Sequence, residues 1–381
     1  MKRTISRLAR HLRSAVSRDR DRALVLVPLG HGMVDAWLVG HAKGERTLQV
    51  RRELSGVAWA ELAAPHPLAA RYLPPVVIAT PARDTVTLQA TLTIDRADPK
   101  ARMNAGEFQE GLKKLQVQLW AEHRPRIAAD LGVEPIDAVL VSFSVESVRV
   151  DGAEVIDPDD LLGARVELDV TVRFVGRDTF ERAREAAAVP FFADPAWTIV
   201  AGHEPVAPAL LLADADPAIL IKADVGSDGM REAERVILPW SAGDVTRELE
   251  VRWAVSRAAA EAALSSHAEG VTFATTRIAV ESAVRGPRDL LDRSLRAAKA
   301  PTPLPVISRV ALPAGEGKGA VELVPLDPGR ILRDTGLELG EGSYDPLVVA
   351  AFAEFYYNER YSRLNAWLRQ RIAWLGTAGT L

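Results

Sequence analysis

Apolar residues in the first quarter of the chain come in short runs that end at glycine. Ala23–Leu29 is stopped by Gly30-His31-Gly32, Met33–Val39 resumes the run, and Thr47–Glu53 follows. Runs of this length, with a tight glycine turn and no helical period, predict an antiparallel three-stranded meander. Pro74–Ala79 and Thr85–Ile94 predict two more strands. The period then lengthens. Over Ala105–Leu131 the apolar positions Leu112, Leu115, Leu119 and Ile127 fall on one helical side, and Gly132 is a C-terminal stop. Alternation returns at Ala138–Val150, with Val139, Val141, Phe143, Val145, Val148 and Val150 as its apolar members. Asp151-Gly152 turns the chain, Leu162–Phe174 predicts a second alternating strand, and Asp178–Ala187 a short helix. This is a compact α/β unit inserted into the chain.

Pro190–Asp216 is rich in proline and small residues and predicts no long element. Ile219–Ala223 reads as a strand, Asp224 to Gly229 as a turn, and Met230–Leu238 as the returning strand. Asp244 is placed to N-cap a helix over Val245–Trp253, and Ser256 one over Arg257–His267 that ends at Gly270. Val306–Leu312 and Ala320–Val324 predict late strands, and Pro346–Trp374 is helical. One internal echo stands out. The stretch Leu26 to Met33 and the stretch Lys222 to Met230 both read strand, glycine turn, strand.

Composition narrows the chemistry. A chain of 381 residues suggests two or three domains. The absence of cysteine excludes disulfides, thiolate metal sites and cysteine nucleophiles. Net charge is −4, but the first 22 residues carry eight Lys or Arg against two Asp, so the body is acidic. An acidic body disfavours nucleic acid as a partner, because phosphate binding needs many cations. With no apolar run of about 18 residues and no signal-like apolar core near the N-terminus, a cytoplasmic location is expected.

Several motifs fail their own tests. Gly30-x-Gly32 begins a dinucleotide fingerprint, but Asp35 stands at the third glycine and strand-like sequence follows it. Gly317-Lys318 lacks the rest of a P-loop: Leu312 stands at the first position and Gly319 follows the lysine. The histidines, among them His31 in the glycine turn, form no pair at zinc spacing. Asp157-Pro158-Asp159-Asp160 reads as an acidic turn. Both chain ends are cationic and apolar. Ile5, Leu8, Leu12 and Val16 recur between arginines, and Tyr361, Leu364, Trp367, Leu368, Ile372, Trp374 and Leu375 are flanked by Arg360, Arg363, Arg369 and Arg371. The first pattern fits a helix lying on an anionic membrane or a frayed, solvated tail, and the second fits a membrane anchor or a helix packed on the body.

The segment Leu238-Pro239-Trp240-Ser241-Ala242-Gly243-Asp244-Val245-Thr246-Arg247-Glu248-Leu249, with Ala260-Glu261 after it, resembles a helix start of the bacterial actin-like ATPases. The similarity is to the branch of the cell-division protein FtsA and the pilus-assembly protein PilM, and the insert at 84–188 is similar to that branch's small subdomain. The resemblance implies a two-lobed, ribonuclease H-like α/β fold with a small inserted α/β subdomain. The implied parts are a basic arm (1–22), a first lobe (23–83, resumed at 189–218), the insert (84–188), a second lobe (219–358) and an amphipathic tail (359–381).

It also implies ATP and Mg²⁺, with Gly30 and Gly32 in one phosphate hairpin, Asp224, Gly226 and Ser227 in the other, and Gly243, Thr246 and Glu261 near the nucleotide. Asp224 is the implied metal ligand, and Ala314 to Gly317 is a loose adenosine turn. The first hairpin departs from the pattern: Pro28 stands at the aspartate position. The expected function is a scaffold for division, envelope or pilus assembly, on the inner face of the membrane, with protein partners on the insert and self-association. An active Mg-ATP switch and a soluble binding module are the alternatives.

Overall fold

A computed structural model describes residues 22–30, 32–41, 45–62, 74–155, 162–187, 190–202, 205–225, 231–308, 310, 312, 320–342 and 344–360. The basic arm, His31, the Asp157 to Asp160 turn, Gly226, Ser227, the Ala314 to Gly317 segment and the 361–381 part of the tail lie outside them. The chain divides into two compact units. The first runs to Trp197 and regains the chain at 225–232 and from Ile331; the second holds Thr198–Asp224 and Ala233–Arg330.

In the first unit, β1 (Arg22–Gly30), β2 (Met33–Gly40) and β3 (Thr47–Ala58) form the expected meander. Strand β1 also pairs in parallel with β4 (Val76–Ala79), which pairs in parallel with β9 (Phe191–Ala193). With β15 (Glu338–Leu339) beside β3, the order is β15-β3-β2-β1-β4-β9. Ala23 through Val27 are all buried, which explains why β1 reads as an unbroken apolar run.

The inserted subdomain contributes β5 (Thr85–Asp95), α1 (Ala105–Leu131), β6 (Ala138–Val150), β7 (Ala153–Val155), β8 (Arg165–Gly176) and α2 (Arg177–Ala186). Its strands pair in the order β5-β8-β6-β7. The apolar alternate positions of β5 and β8, including Leu88, Leu168 and Val172, form one core with Phe108, Leu112, Leu119 and Ile127 of α1. Asn104 accepts a hydrogen bond from the Glu107 N–H at one end of α1, and left-handed Gly132 closes the other.

The second unit holds β10 (Ala209–Leu212), β11 (Ile219–Val225), β12 (Arg231–Ile237), β13 (Leu304–Ile307) and β14 (Leu323–Pro325), in the order β14-β13-β10-β11-β12. Helices α4 (Ala242–Trp253), α5 (Arg257–Ala268) and α6 (Ala274–Ala297) share its core. One feature differs from the sequence reading. Ser241, not Asp244, caps α4. Asp244 sits at the third helical position, where its Oδ2 accepts the Ser241 N–H at 2.9 Å and completes a capping box. Strand β10 lies in the stretch rich in proline and small residues, and α6 runs through Gly286-Pro287. After α7 (Pro328–Ile331), the chain ends its described part in α8 (Pro346–Arg360). Helix α8 packs on the first unit's sheet, where Phe355 meets Phe191 edge to face at 5.4 Å.

Candidate functional site

Strand order decides which hairpins correspond. In the first unit β1 is central, with β2 and β3 on one side by antiparallel pairing and β4 and β9 on the other by parallel pairing. In the second unit β10 takes the same place, with β11 and β12 on one side and parallel β13 and β14 on the other. This is the paired arrangement that the resemblance to the actin-like proteins implies. The counterpart of the β1–β2 turn is therefore the β10–β11 turn, residues 213–218.

The described non-glycine residues around the β1–β2 turn are apolar. Pro28 sits opposite Val34, the register shifts between Pro28 and Gly30, and Gly32 turns at φ +73° with open space where a side chain would be. Leu29 and Met33 flank the turn at 38% and 36% exposure. The β10–β11 turn is acidic. Buried Ala213 leads into exposed Asp214 and Asp216, and the Asp214 Oδ1 accepts the Ser308 hydroxyl at 3.3 Å.

The residues expected at the site fall in several places. Gly30 and Gly32 belong to the first unit, and Asp224, Gly243, Thr246 and Glu261 to the second. Asp224 is exposed near the end of β11, one hairpin later than the counterpart turn. Gly243 and Thr246 come together in the first turn of α4, where the buried Thr246 hydroxyl points back at the Ala242 carbonyl, 3.5 Å away. Glu261 is on α5, in an ion pair with Arg257 at 3.0 Å. Asp214 and Asp216 were missed from sequence. The signal was the apolar run Ala209 to Ala213 ending in an acid.

For Mg²⁺ and a nucleoside triphosphate, the second hairpin offers carboxylates of the right type. The first does not fit: Pro28 has neither a carboxylate nor an N–H for phosphate.

The densest buried polar cluster lies elsewhere in the first unit. Arg173 on β8 is 1% exposed, and its Nη1 reaches Glu354 Oε1 on α8 at 2.6 Å. Its Nε donates to the Thr87 Oγ1 of β5 at 3.1 Å, and its Nη1 donates to the Phe192 carbonyl. The Thr87 hydroxyl donates to Asp194 Oδ2 at 2.7 Å, and the Asp194 N–H donates to Glu354 Oε2 at 2.9 Å. Asp194 Oδ1 also accepts the Trp197 N–H at 3.0 Å. Burial pushes the Glu354 carboxyl above its usual range, Arg173 opposes this, and the Asp194 charge adds to it.

A second group lies on the same face of the insert sheet as Arg173, four residues away along β8. Arg149 donates to both Asp169 oxygens, at 2.6 and 3.0 Å, and Ser147 and Thr91 add hydroxyls at 2.6 and 2.7 Å. Partial burial pushes Asp169 up, but the hydrogen bonds from Arg149, Ser147 and Thr91 outweigh it and hold the carboxyl at about 2.

No protein-family model and no curated protein matches the chain. Among solved structures it is similar to one titled "PilM-PilN type IV pilus biogenesis complex", at 17% identity and a TM-score of 0.45, over 89% of this chain and 99% of that one. Among the described residues, no helix is long and apolar enough to cross a membrane.

Proposed function

We propose that the chain is an actin-like scaffold whose nucleotide site no longer turns over Mg-ATP. Its inserted subdomain recruits protein partners for division, envelope or pilus assembly. It self-associates and docks on anionic lipid at the inner face of the membrane through residues 1–22 and 359–381. The reading is carried by the first hairpin: Pro28, with neither a carboxylate nor an N–H, stands where Mg²⁺ needs charge and a phosphate needs a donor. Losing one such electrostatic group typically costs a rate factor of about 100 to 1,000. The cationic, apolar pattern of both chain ends supports the membrane part.

Thermal unfolding with and without millimolar Mg-ATP tests the reading. A ligand at about 100 times its Kd adds about 2.7 kcal/mol to the native state. No shift is expected, together with co-sedimentation on anionic vesicles at low salt. A clear upward shift overturns the dead site, and failure to bind vesicles overturns the membrane role. The alternative, an Mg-ATP switch, is favoured by the carboxylates at the β10–β11 turn.

A further inference from the structure

Helix α8 is held to its own sheet by ordinary packing. Val348, Val349, Phe352 and Phe355 are buried, and the helix lies against β1, β4 and β9. Glu354 does something different. It reaches Arg173, which belongs to the inserted sheet, and through the Asp194 N–H it joins a carboxylate that Thr87 of the same sheet holds. Thr87, Arg173 and Asp194 are each at most 1% exposed, and Glu354 is 18% exposed.

The guanidinium thus pairs with Glu354 directly and is joined to Asp194 through the Thr87 hydroxyl. Removing any member strands a buried partner, so the group makes or breaks as a unit. A purely structural tether needs no charge here, because apolar residues of the same size cost less to bury.

We infer that Thr87, Arg173, Asp194 and Glu354 form a latch that couples helix α8 to the inserted sheet, so that displacing either one loosens the other. The latch stands on this geometry alone and does not depend on the function proposed above.

Hydrogen–deuterium exchange on the full chain tests it, comparing wild type with Glu354→Ala and Glu354→Gln. In Glu354→Ala, amides of β5 and β8 should exchange at least ~10-fold faster together with those of α8, while β10, β11 and β13 stay unchanged. Glu354→Gln keeps neutral acceptors for the Asp194 N–H and for Arg173 but removes the carboxylate charge, so its exchange should fall between wild type and Glu354→Ala. Faster exchange confined to α8, or spread equally into β10–β13, overturns the latch, as does Glu354→Gln exchanging as fast as Glu354→Ala. If Glu354→Ala does not fold, Thr87→Val supplies the comparison. It should loosen β5, β8 and α8 together, and unchanged exchange in α8 overturns the coupling.

Discussion

The two sheets carry the same strand order but differ in how they use charge. In the first unit the central hairpin ends in Pro28, Leu29 and Met33, and one buried arginine, Arg173, reaches the Glu354 carboxylate on another element. In the second unit the corresponding hairpin ends in Asp214 and Asp216, and the buried arginine, Arg288, closes on Asp292 of its own helix. A shared backbone topology therefore leaves both the turn chemistry and the reach of the buried ion pairs free to diverge. The local pair holds one helix in place, whereas the non-local cluster spans separate elements.

The largest effect should come from breaking the local pair. Arg288 and Asp292 are each under 10% exposed, with guanidinium-to-carboxylate distances of 3.0 and 3.2 Å, and Arg288 also donates to the Val321 carbonyl at 2.7 Å. Arg288→Met leaves Asp292 buried and partly stranded. A loss of about 3–5 kcal/mol is expected from urea unfolding. Adding Asp292→Leu should recover most of it, because the stranded charge causes most of the cost. A double variant as unstable as the single one sinks that account.

A smaller effect belongs to the Asp169 group of the insert. The Asp169 carboxyl is held at about 2, below the usual 3.8. Its folded pKa is depressed, so its contribution is complete above about pH 4 and is lost as pH falls toward 2. Asp169→Asn should cost about 1–2 kcal/mol near neutral pH, discounted because the side chain is 25% exposed, and nearly nothing at pH 2. A cost independent of pH assigns Asp169 to packing instead.

The same contrast explains what the sequence could reveal. Alternation and glycine turns give β1, β2, β6 and the long α1, because each is set by neighbours a few residues apart. Arg288 and Asp292 are four residues apart and legible as a helical pair only once α6 is recognised, and Gly286-Pro287 hides that helix. Arg173 and Glu354 belong to β8 and α8 and nothing local links them. The paired hairpins were legible as a duplication, but the echo at Lys222 to Met230 fell on β11–β12, one hairpin late. Strand β10 is only four residues long and sits in a proline-rich stretch, so its place at the sheet centre emerges from pairing alone.

The smallest expected effects bear most directly on the two hairpins. Asp214 and Asp224 are both exposed, so alanine at either position should change stability by no more than about 0.5 kcal/mol. With a degenerate site, neither variant nor the wild type responds to Mg-ATP in thermal unfolding. A wild-type shift that survives in Asp224→Ala but vanishes in Asp214→Ala places the working carboxylate at the β10–β11 turn, where strand order puts the counterpart of β1–β2, and rejects the dead site. The reverse pattern restores Asp224 and makes the sequence echo a better guide than the sheet. Strand order is the stronger expectation, because a turn's place relative to the central strand fixes where its backbone N–H groups sit, and a similar run of residues one strand away cannot.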